Sequence, residues 1–112
     1  MPELAEKHCS SNPDLAPRLD DTGAKSLLSS IEAGWQLDLD QQSLSRQFEF
    51  KNYYQTMAFA NAVAWIAHQQ DHHPDMTISY RHCHIFYTTH SVKGLSINDF
   101  ICAARIDALQ SN

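Results

Sequence analysis

Basic residues are few: eight Lys and Arg stand against thirteen Asp and Glu, for a net charge of −5. Neutralising a phosphate backbone needs clustered cations, and these are scattered, which argues against a nucleic-acid partner. Cysteine is sparse as well. Cys9, Cys83 and Cys102 are odd in number, far apart and form no C-x-x-C pair, so neither a disulfide framework nor a thiolate zinc site is indicated. Cys83 and Cys102 read instead as small buried hydrophobes. No apolar run approaches the ~20 residues of a membrane span, which argues against membrane insertion. Residues Met1 to Lys7 carry acids and no apolar stretch, unlike a secretory leader, so a reduced, cytoplasmic setting is expected. Internal repeats and low-complexity tracts are also missing.

What remains is enough for one domain: 112 residues, 43% hydrophobic and 19% charged. Residues 1–19 read as a flexible tail, because Ser10, Ser11, Asn12, Pro13 and Pro17 interrupt any period. The folded domain is expected over 20–112. Asp20, Asp21 and Thr22 offer N-cap oxygens, and Leu27, Leu28 and Ile31 then recur at helical spacing until Gly34. Trp35, Leu37 and Leu39 alternate with polar residues, as do Leu44, Phe48 and Phe50 beyond a turn at 40–43, which predicts a hairpin. Asn52 opens a long alanine-rich helix to about Gln70, with Phe59, Val63 and Ile66 on one face. Pro74 prevents its continuation. The β-branched and aromatic run from Ile78 to Thr89 predicts one long strand or two. Ser96-x-x-Asp99 resembles a capping box opening a last helix with Ile97, Ile101, Ala104 and Ala108 on one face. This order predicts an α+β fold, a small antiparallel sheet with helices on one face.

Six of the seven histidines fall between positions 68 and 90: His68, His72, His73, His82, His84 and His90. Imidazole exchanges protons near neutral pH, so this density points to chemistry. Three readings compete. His82 and His84 alternate with Cys83 and Ile85, which places them on the open face of the sheet or in a contact between subunits. His68 and His72, four apart, could begin a zinc site completed by His73, His90 or Asp99, but Gln69 occupies the place of the glutamate in H-E-x-x-H. Acid–base catalysis without metal is the third. Asp71-His72-His73-Pro74 follows a helix, Thr89-His90 ends a strand, and Asp99 starts a helix; sites are commonly assembled at such junctions.

The ordered set His68-x3-His72-His73-Pro74, then Tyr80, His90 and Asp99, resembles the pterin-4a-carbinolamine dehydratase family. Gly34-Trp35, Phe48-x-Phe50 and Gly94-Leu95-Ser96 fit the same pattern, and the likeness extends over residues 20–109. His68, Ser91 and Lys93 depart from the residues usual in the family. The resemblance implies a four-stranded antiparallel sheet with three helices on one face, assembled as homodimers or homotetramers. It implies dehydration of a 4a-hydroxytetrahydropterin to quinonoid dihydropterin, with no cofactor beyond that substrate and no metal. His72, His73, His90 and Asp99 fall at the catalytic positions. His73, Tyr80 and Asp71 become candidates for substrate binding, Tyr80 and Asp71 having filler and solvent roles as their alternatives. Because some relatives also serve as dimerisation cofactors of a transcription factor, a regulatory protein partner is a second possibility.

Overall fold

The computed structural model describes residues 3–110. The elements are α1 (Glu3–Glu6), α2 (Asp21–Leu28), β1 (Gln36–Asp38), β2 (Ser43–Glu49), α3 (Tyr53–Gln70), β3 (Asp75–Ile78), β4 (His82–Tyr87), a 3-10 turn at His90–Val92, and α4 (Ile97–Gln110). The strands form one antiparallel sheet in the order β1-β2-β4-β3, and the three longer helices pack against it. The α+β expectation holds.

Alternation along β4 decides which face is covered. Cys83, Ile85 and Tyr87 are fully buried, whereas His82, His84 and Phe86 on the opposite face are half-buried. Leu44 and Phe48 of β2 join the inner set, and Trp35 meets Phe48 edge-on. The stripe Phe59, Ala60, Val63, Ile66 and Ala67 of α3 completes the layer, its small residues letting the helix lie close to the sheet. Asn52 starts α3 as predicted, accepting a 2.8 Å hydrogen bond from the Gln55 N–H.

One open expectation is decided and two change in detail. Of the alternatives over 78–89 the two-strand form is found, but β3 starts ahead of the run at Asp75 and β4 follows a turn at Ser79–Arg81, where the Thr56 hydroxyl donates to the Tyr80 carbonyl at 3.0 Å. No Gly, Pro or Asn marks that turn. α2 stops at Leu28 rather than near Gly34, because serines follow it: Ser29 turns its hydroxyl back onto the Ser26 carbonyl, competing with continued helix. Gly34 has another role. A Cβ there would lie 2.6 Å from Arg46, whose guanidinium passes over the glycine to Asp107. The buried face of α4 is also rotated from the predicted one. Asp99, Phe100, Cys102, Ala103 and Ile106 are buried with Ile101, while Ile97 and Ala104 are only partly covered and Ala108 is exposed.

The cause lies in the segment read as a flexible tail. Leu4 is 5% exposed and belongs to the core, and Ala16 is buried. Asn98 on α4 grips Ser10 from both sides, accepting from its N–H at 3.1 Å and donating to its carbonyl at 2.8 Å. The Cys9 N–H donates to Gln70 at 2.7 Å, and the Leu19 N–H to the Leu95 carbonyl at 2.8 Å. Prolines and serines abolish periodicity here, but docking through side-chain to backbone bonds has no period to detect. The segment covers a second side of α4. Replacing Leu4 by Ala is expected to lower stability by about 2 kcal/mol. Urea unfolding checks this, and an unchanged midpoint would mean that the segment contributes nothing to the fold.

Candidate active site

The centre of the site is a carboxylate at the start of α4. The Ser96-x-x-Asp99 box forms as the sequence suggests: Ser96 Oγ accepts from the Asn98 N–H at 3.2 Å, and Asp99 Oδ2 accepts from the Ser96 N–H at 3.0 Å. Asp99 does more than cap. It is 0% exposed, and Oδ2 also accepts from the Thr89 hydroxyl at 2.7 Å while Oδ1 lies 2.7 Å from His72 Nε2. The hydroxyl directions follow. Thr89 gives its proton to the carboxylate, so across their 2.9 Å contact Ser96 must donate to Thr89. Thr89 itself is held by backbone bonds to Gly94 in both directions.

His72 reaches this carboxylate because α3 ends abruptly. Asp71 adopts the left-handed conformation at φ 51°, and its N–H turns back onto the last carbonyls of the helix. Aspartate tolerates this conformation better than most residues. The chain leaves the helix axis, so His68 and His72 do not share a helical face. His68 is exposed and stacks on Trp65 instead. Among the described residues no group of three or more His, Cys, Asp or Glu is placed to hold a metal ion.

The His72 side chain is 12% exposed and lies parallel to the Tyr87 ring, 5.3 Å between centroids. Burial on its own pulls this imidazole down. The hydrogen bond to Asp99 and its charge outweigh burial, Cys102 and Asp71 add to them, and the ring is held above its ordinary 6.5. With Nε2 committed to Asp99, Nδ1 is left for other chemistry.

His73 and His90 are exposed. Each adjoins a residue that grips Asp99: His73 follows His72, and His90 follows Thr89. The one carboxylate therefore brings the two chain segments that bear these histidines to the same end of the sheet. Asp71 is exposed in the turn before His72. Tyr80 is not part of this group. It is 63% exposed and stacks on Tyr53 at the opposite end of α3, roughly 27 Å away by helical rise. His82 and His84 lie on the open sheet face as expected; His82 sits 3.8 Å from Glu49, and His84 borders a shallow cavity with Ser45 and Phe86.

Thr89, Tyr87 and Cys9 were not singled out as site residues from sequence. Thr89 was detectable: after Cys83, Ile85 and Tyr87 it holds the next inward position of the alternation, where a hydroxyl needs a buried partner. Cys102 is buried as expected, yet it is not simply a hydrophobe. Its sulfur is 3.6 Å from Cys9 Sγ, and that hydrogen bond draws its thiol below the ordinary value against the effect of burial, with His72 and Tyr87 assisting. The Cys9 thiol is correspondingly raised.

What the α+β scaffold assembles is an imidazole bonded to a buried carboxylate at one end of a four-stranded sheet. Comparison with known proteins narrows this. Residues 17–109 match the family model described as pterin 4 alpha carbinolamine dehydratase, and the chain belongs to that family. A relative from Nitrosomonas eutropha, provisionally named a pterin-4-alpha-carbinolamine dehydratase, is 53% identical over 107 residues, covering 96% of this chain and 93% of its own. One from Legionella pneumophila with the same provisional name is 45% identical over 107 residues, covering 96% and 95%. The crystal structure of a transcriptional coactivator/pterin dehydratase from Brucella melitensis superposes with a TM-score of 0.77 at 27% identity, covering 82% of this chain and 97% of that one. A pterin dehydratase-like protein identified as a RuBisCO assembly factor in the alpha-carboxysome shares the fold, with a TM-score of 0.62 at 24% identity over 72% of this chain and 94% of that one.

Two outcomes follow for the pair at the centre. Asp99→Ala strips acceptors from His72, Thr89 and Ser96 together and is expected to cost about 3 kcal/mol or more in urea unfolding. Because His72 is raised on folding, its link to Asp99 stabilises fully below pH 6.5 and is lost as pH rises through the folded value. The stability gap between wild type and His72→Gln should therefore narrow on the alkaline side; a gap that widens there contradicts the assignment.

Proposed function

We propose that this protein dehydrates 4a-hydroxytetrahydropterins to quinonoid dihydropterin and water, working as a cytoplasmic homodimer or homotetramer. Membership of the family supports the reaction, and the raised, carboxylate-bound His72 carries the chemistry. A carbinolamine holds a hydroxyl and an amine on one carbon. The nitrogen lone pair can expel the oxygen, but hydroxide leaves poorly at neutral pH, so an acid must protonate it and a base must collect the N5 proton. An imidazole held above its ordinary value by Asp99 is a suitable acid, donating through Nδ1. His90 is assigned the N5 proton, and His73 and Asp71 hold the pterin ring. Each positioned proton transfer contributes about 10²–10⁴-fold. These transfers suffice without a metal, because the substrate already carries its own electron push. Tyr80 of the same chain, in the turn after β3 and stacked on Tyr53 at the start of α3, lies too far off to take part at this end.

A stopped-flow assay with chemically generated 4a-hydroxytetrahydropterin tests the reading. His72→Ala and His90→Ala should each slow dehydration by about 100-fold or more while remaining folded, and chelator-treated wild type should keep its rate. Full activity in both folded variants would remove the assignment. A folded wild type with no turnover that binds a protein partner stoichiometrically would instead favour the regulatory reading, which the coactivator name of the Brucella relative suggests.

A further inference from the structure

Cys9 and Cys102 have no part in the reaction proposed above, and we infer that they form a reversible, oxidant-responsive disulfide that fastens the N-terminal segment to α4 behind His72. Their sulfurs lie 3.6 Å apart, although 93 residues separate them in sequence. A covalent S–S bond needs a further approach of about 1.5 Å. The backbone on both sides of that gap is already held. The Cys9 N–H is bonded to Gln70, the next residue, Ser10, is clamped at both backbone groups by Asn98, and the Cys9 thiol also faces the Asn98 carbonyl at 3.6 Å. Cys102 sits one helical turn beyond Asn98 on α4, its side chain completely buried.

Access, rather than acidity, makes Cys9 the thiol that an oxidant meets first, while the lowered Cys102 thiol is the better attacking group. Cys9 is half-buried and open to a small oxidant, whereas Cys102 is completely buried, with His72 and Tyr87 as well as Cys9 beside its sulfur. Cys83 is also completely buried, in the middle of β4, and serves as an internal control. Hydrogen peroxide converts the Cys9 thiol to a sulfenic acid, releasing one water. The Cys102 thiolate attacks the Cys9 sulfur; the S–S bond forms, the S–O bond breaks, and the departing hydroxide takes a proton as a second water. Two thiols and one peroxide give one disulfide and two waters. A reducing thiol reverses the linkage by exchange.

The test uses the full chain treated with hydrogen peroxide. Mass spectrometry of the non-reduced digest should show the Cys9 and Cys102 peptides joined, with the loss of two hydrogens and free Cys83. Dithiothreitol should restore both thiols. Closing so long a loop should raise Tm by about 10 °C in wild type and leave Cys9→Ser and Cys9→Ala unshifted. Cys9 oxidised without a cross-link, a Cys9–Cys9 bond between two copies, a bond involving Cys83, or an unshifted Tm in the cross-linked protein would each overturn the inference.

Discussion

The structure depends on a carboxylate taken entirely out of water. An unpaired charge in such a place is costly, and Asp99 is tolerated only because its donors come from separate parts of the chain: the Ser96 N–H, the Thr89 hydroxyl and the His72 imidazole. Those donors lie before α4, beyond β4 and after α3. Satisfying one side chain thus fixes three junctions relative to each other. His73 and His90 inherit their places from it, since each is covalently next to a residue that Asp99 holds. The three histidines need not contact one another to be positioned.

α4 carries a second carboxylate in the same manner. Asp107 accepts from the Trp35 indole and from Arg46 at 2.8 Å each, and from the Glu32 N–H at 3.1 Å. Burial nevertheless pushes its carboxyl up, and the bonds to Trp35 and Glu32 and the charge of Arg46 offset that only in part. Asp99 ties the helix to the histidine-bearing junctions, and Asp107 ties it to the region before β1. With the N-terminal segment lying along a further side, α4 links the early part of the chain to the histidine-bearing end of the sheet.

How much of this was legible in sequence depended on whether a feature repeats. Strands β2 and β4 and helix α3 announced themselves through alternation or a helical stripe, and Asn52, Pro74 and Ser96-x-x-Asp99 marked boundaries that the structure keeps. The meeting of His72 with Asp99 was foreshadowed only in that both stood among the candidate catalytic residues; which histidine would take the carboxylate was not specified. Docking of residues 4–19 was invisible, because its bonds run from single side chains to backbone groups some 60–90 positions away. The displaced face of α4 was missed for the same reason: periodicity reports that a helix has a buried side, and a helix covered from two directions has more than one. Tyr80 follows another course: β3 runs back from the histidines toward the start of α3, so residues close together in the motif lie at opposite ends of that 18-residue helix.

The clasp between Ser10 and Asn98 joins stretches of chain that a ribosome makes 88 residues apart. A ribosome must finish α4 before the early segment has anything to dock upon, and the nascent sheet spends that interval without one of its covering layers. Until that helix has been made, the histidine-bearing junctions lack the carboxylate they share.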